Sequence, residues 1–137
     1  MPGSEEGEGD AAGAAAGKEA VRAVLDSVIR RPWARAAGVV KKSFGREEDA
    51  GVREGMVGDS ALFAGRIATL YGIGEKLLQE FEAGGPDRTV LEAEGLRVVL
   101  LDLDEDTVLV AVVDAEADPG DADEVLEEAR AALRALG

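Results

Sequence analysis

The chain has 137 residues, a formal charge of −14, and no histidine or cysteine. That composition excludes disulfides, thiolate nucleophiles, zinc-thiolate sites and every Ser-His or Cys-His nucleophile pair. Carboxylate, lysine or tyrosine chemistry stays open, with only four serines, three threonines and Tyr71 to supply hydroxyls.

The charge is unevenly spread. Residues 1–17 hold four acids and no base, residues 18–55 nine bases and six acids, and residues 56–137 six bases and nineteen acids. So acidic a chain is a poor partner for nucleic acid. No apolar run approaches the roughly 18 residues a membrane span needs. The acidic N-terminal stretch lacks the apolar core of a secretory signal. The expected setting is the cytoplasm.

Residues 1–17 are Gly/Ala/Glu-rich and hold no large apolar residue after Met1. Such a stretch buries too little surface to offset its ordering entropy, so it reads as a disordered acidic tail. Residues 18–137 then form a single domain. Residues 18–30 read as a helix, with Val21, Val24, Leu25 and Val28 at helical spacing, basic Arg30 and Arg31 at the end, and Pro32 as the stop. Trp33 follows and is expected to pack over the end of that helix.

Residues 34–56 are less patterned. A strand over 36–40 and a short second one over 51–56 flank a charged stretch at 41–49, and a partly helical course is also compatible with it. Residues 60–81 read as the longest helix, capped by Asp59 or Ser60. Phe63, Ile67, Leu70, Leu77, Leu78 and Phe81 track one side. Gly72 and Gly74 each cost about 1 kcal/mol relative to Ala inside a helix. Either the helix breaks there or something approaches closely. Ala61, Gly65, Ala68 and Gly72, spaced four, three and four, make one face of small residues. That face suits tight packing onto a sheet or against a partner helix.

Gly84-Gly85-Pro86-Asp87 is a loop by turn chemistry. Thr89, Leu91 and Ala93 alternate with Val90, Glu92 and Glu94, as in a half-buried strand. Residues 96–103 and 107–113 are two apolar strands around the polar turn Asp104-Glu105-Asp106, antiparallel by default. Asp118-Pro119-Gly120-Asp121 opens a last helix, in which Asp121 and Glu124 resemble a capping box. Its apolar face is Val125, Leu126, Ala129, Leu133 and Leu136. The predicted order is α-β-β-α-β-β-β-α: an α/β fold with a single, mostly antiparallel sheet, a central helix on one face and helices at both ends.

Candidate chemistry is sparse. Asp102, Asp104 and Asp106 alternate like calcium ligands, but Thr107 and Val113 stand where an EF-hand loop needs Gly and Glu, so a solvated turn is expected. Residues 72–76 lack the GK[ST] of a phosphate loop. No metal and no cofactor is expected. Arg30, Arg31, Arg35, Lys41, Lys42 and Arg46 hold six positive charges with no acid among residues 30–46. They are a candidate docking patch for an acidic protein surface or a phosphate-bearing ligand. Alternatively they neutralise the acidic C-terminal half.

From residue 58 onward the chain resembles the Roadblock / dynein light-chain family. The carriers are SALFAGRIATLYGIGEKLLQEF, TVLEAEGLRVVLLDLDEDTVLVAVVD with its Glu94-Gly95 turn and Asp114, and an Asp/Pro/Gly loop into EVLEEARAALRAL. The chain departs from the family at residues 34–56, where members carry a clear two-stranded hairpin. The resemblance implies a non-enzymatic fold that dimerises through the central helix and an adjacent edge strand, so that two sheets join. Ala61, Gly65, Ala68 and Gly72 would then face their symmetry mates. It further implies a regulator or scaffold for small Ras-like GTPases, or an adaptor in another protein complex. The residues also admit a monomeric profilin-like or PAS-like domain with a ligand pocket between helix and sheet. A carboxylate hydrolase would need two acids converging in an apolar cleft.

Overall fold

A computed structural model describes residues 17–43, 47–52 and 60–136. The helix α1 runs through residues 17–29. Leu25 and Val28 are fully buried on its inner face, with Val21, Val24 and Ile29 beside them. It ends as Arg30 N donates to Asp26 O and Arg31 N to Val28 O, a tightening last turn before Pro32. Trp33 packs half-buried against the core at this corner.

The strands are β1 (Ala34–Lys41), β2 (Glu47–Val52), β3 (Arg88–Ala93), β4 (Leu96–Asp102) and β5 (Thr107–Asp114); the remaining helices are α2 (Ser60–Gln79) and α3 (Pro119–Leu136). They form one antiparallel sheet in the order β2-β1-β5-β4-β3. The expected element order holds. Two strands differ in extent. The first is longer than 36–40, and the second lies at Glu47–Val52 instead of 51–56. The reason is its place at the sheet's edge. There the backbone ladder to β1, not an apolar run, holds it. Arg46 and Asp59 lie outside the described residues.

The sheet is covered on both faces, which is why β4 and β5 are almost continuously apolar. Leu109, Ala111 and Val113 of β5 and Val99 and Leu101 of β4 face α1 and α3, where Leu126, Ala129 and Leu133 complete the larger core. Val108, Val110 and Leu100 face α2, where Val40, Ala64, Ile67 and Tyr71 make the smaller one. A bulge between Ala34 and Ala36 swings Arg35 outward to pair with Asp114. In the β4–β5 turn, Asp104 Oδ1 accepts from Asp106 N, Thr107 N and Thr107 Oγ1, each at 2.8 Å. Burial pushes this carboxyl up, but those bonds and the Lys42 charge outweigh it and hold the carboxyl below its usual value. The buried Arg130 binds Glu127 on its own helix and Asp87 before β3. It ties α3 to the start of the edge strand.

The helix α2 passes unbroken through Gly72 and Gly74. It stops two residues short of the expected Phe81, because Glu82 takes a left-handed conformation (φ 58°) while Ala83 N donates back to Leu78 O. No helix among the described residues is long and apolar enough to cross a membrane.

Candidate interaction surface

The outer side of α2 and the neighbouring edge of the sheet carry the unusual chemistry. The strand β2 leads back to the Ala36 end of β1 before α2 begins, and Tyr71 of the helix lies at the other end, against Lys42 and Asp102. So α2 runs parallel to β1. Lys42, whose side chain faces α2, donates its amide to Asp106 and thus toward β5. With L-residues this fixes the view from α2: with β1 pointing up, β5, β4 and β3 lie to its right and β2 to its left. Ala64, Ile67 and Tyr71 point at the sheet. A right-handed helix advancing about 100° per residue then puts Ala61, Gly65, Ala68 and Gly72 on the left flank, over β1 and β2. It puts Phe63, Leu70 and Leu77 on the right flank, toward β4 and β3. The backbone of α2 comes nearest to β1 and β2, in keeping with the smaller left flank.

The two flanks are dressed differently. On the left, a Cβ built at Gly65 or Gly72 meets nothing within 4 Å among the described residues. Ala61 is exposed; Gly65, Ala68 and Gly72 are half-buried. On the crown and the right, Leu62, Ile73 and Leu77 are 52%, 61% and 57% exposed, and Phe81 just past the helix is 76% exposed. Leu91 of β3, 50% exposed, pairs with Val98 and faces the same side. Among the described residues β3 is hydrogen-bonded only to β4, so its outer row of amides and carbonyls faces no other described strand. A contiguous apolar grouping beside an unpaired strand edge marks an interaction site. Sequence reasoning offered the small stripe as the interface; it placed Leu77 and Phe81 on the apolar side of the helix without reading them as an interface, and did not single out Leu62 or Ile73. The signal was present: Leu62 and Ile73 lie opposite Ala64, Ile67 and Tyr71 on the helical wheel, where an ordinary surface helix is polar.

The five described residues of the basic stretch do not form one patch. Arg30, Arg31 and Arg35 lie at the α1–β1 end, while Lys41 and Lys42 lie at the far end of β1, roughly 20–25 Å away by strand geometry. Arg35 pairs with Asp114, Lys41 with Glu48 at 3.4 Å, and Lys42 with Asp102 and the Asp104 carbonyl.

Asp102 gathers the one polar cluster under α2. Besides Lys42 it accepts from Tyr71 Oη at 3.4 Å, and its backbone carbonyl accepts from Arg134 of α3 at 2.8 Å. The Lys42 ammonium lies 4.5 Å from the centre of the Tyr71 ring. Burial pulls the Lys42 pKa down, but the bonds and charges of Asp102 and Tyr71 outweigh it and raise the pKa overall. Burial raises the Tyr71 phenol, offset in part by Lys42. Gly85 sits tightly here: a Cβ would stand 2.5 Å from Tyr71 Oη. The partners of Asp102 are cations and a phenol, an arrangement that fastens α2 to β1, β4 and α3. Among the described residues no group of three or more acids is placed to hold a metal ion. Among the described residues, Val40, Ala64, Ile67, Tyr71, Leu100, Val108 and Val110 are buried between α2 and the sheet.

No family model and no curated protein sequence matches the chain. Solved structures do. MglB from Myxococcus xanthus superposes with a TM-score of 0.80 at 16% identity, covering 86% of this chain and 87% of that one. An MglB in a tetrameric arrangement gives 0.79 at 20% identity, over 88% and 90%. A Roadblock/LC7 domain from Streptomyces avermitilis gives 0.73 at 16% identity, over 83% and 94%. A profilin from Schizosaccharomyces pombe lies further off, at 0.60 and 14% identity over 85% and 98%. At these identities the likeness concerns the fold. Five antiparallel strands in the order β2-β1-β5-β4-β3, with α2 on one face and α1 and α3 on the other, make this chain a Roadblock-like domain.

Proposed function

We propose that the chain is a non-enzymatic, homodimeric interaction module that regulates or scaffolds a small Ras-like GTPase. The observation that carries the reading is the apolar crown and right flank of α2, with Leu62, Ile73, Leu77 and Leu91 exposed beside the open edge of β3. Two copies related by a two-fold axis would pair their β3 edges and cover these side chains with each other's α2. The bulky flank lies next to β3 and belongs to that contact. The small stripe of Ala61, Gly65, Ala68 and Gly72 lies over β1 and β2, and takes part only if the two helices cross far enough to reach it. Sedimentation velocity across the micromolar range tests the assembly. A chain that stays monomeric at high micromolar concentration would overturn it.

The GTPase rests on the Roadblock-like fold and on the family resemblance. Arg30, Arg31 and Arg35, together at the α1–β1 end, are the part of the basic stretch we put forward as a docking point for an acidic partner surface. The working place is the cytoplasm. A small GTPase encoded beside this chain, mixed with it in purified form, should bind it, and binding should change its rate of nucleotide hydrolysis. Absence of binding at high micromolar concentration would remove the GTPase from the reading and leave the dimer untouched.

A monomeric profilin-like ligand-binding domain is the second reading, favoured by the likeness to profilin. The apolar residues buried together beneath α2 count against a ligand pocket among them. A stable monomer that crystallises with a ligand under α2 would decide for it.

A further inference from the structure

We draw no further inference here: the strongest candidate, the open groove between the start of α1, the end of α3 and the β1–β5 end of the sheet, has an apolar floor of Val21, Val39, Leu103 and Leu133 with Lys18, Arg134, Glu48 and Asp104 around it, and nothing in the structure shows what covers it.

Discussion

Lys42 and Tyr71 meet face-on, ammonium over ring at 4.5 Å, and both turn their polar ends to one carboxylate, that of Asp102. Three elements, β1, α2 and β4, are joined at this point. Tyr71 is the chain's only tyrosine, so its absorbance reports on the cluster alone.

That geometry sets an alkaline limit on the fold. Lys42 has a raised pKa, so its contribution is fully present below the unfolded value of about 10.4 and is lost as pH rises through the folded one. The Tyr71 phenol, also raised, acts in the same direction from about pH 10 upward. The denaturation midpoint should hold level through neutral pH and fall above pH 10. Phenolate absorbance should appear later than in a model tyrosine, and later still in Lys42→Met, which removes a charge favouring the phenolate. Ionisation below pH 10 would contradict this arrangement.

Asp104 sets the acid side. Its lowered pKa makes its contribution present above about pH 3.9 and lost as pH falls through the folded value. Asp104→Ala should destabilise the chain by about 1 kcal/mol at pH 7, from the turn hydrogen bonds it forfeits. The gap between variant and parent should close as the pH falls below the usual carboxylate range, as urea unfolding at several pH values would show.

The two flanks of α2 make opposite predictions. Leu77→Glu or Leu91→Glu should weaken self-association at least tenfold in sedimentation, while leaving the fold intact by circular dichroism. Gly72→Leu should leave it within a few-fold, because the stripe looks over β1 and β2. The reverse pattern would place the interface on the small residues.

Leu126 is fully buried between α3 and the sheet. Leu126→Ala should lower stability by about 2–5 kcal/mol. In contrast, Glu82→Gly should raise it by up to about 1 kcal/mol, since glycine enters the left-handed slot at φ 58° without strain. Chemical denaturation reads both.

The architecture was legible wherever burial writes a period into the sequence. Residues 96–103 and 107–113 announce themselves because both faces of β4 and β5 are covered, and α3 because Leu126, Ala129 and Leu133 recur at helical spacing on its buried face. The strand β2 was misplaced because an edge strand is held by its neighbour's backbone and needs no apolar pattern of its own. The candidate site was half legible. Spacing alone identified a face of small residues on α2, but which flank meets β3 depends on helix direction and sheet handedness, and these exist only once the strands are ordered. The basic residues look like one group because they are close in sequence; an extended strand then sets Arg30, Arg31 and Arg35 at one end of the sheet and Lys41 and Lys42 at the other.

The sheet order also dictates when the molecule can fold. The inner edge of β1 pairs with β5, Val40 opposite Val108, so the first strand waits for one made almost seventy residues later. Until β5 leaves the ribosome, the α1-to-α2 half has only the β1–β2 pair, with the inner edge of β1 open, and no central layer to lie on. Closing that long loop is slow for a chain of this size. Truncations ending before Thr107 should be kept unfolded by their topology, whatever helical propensity they retain.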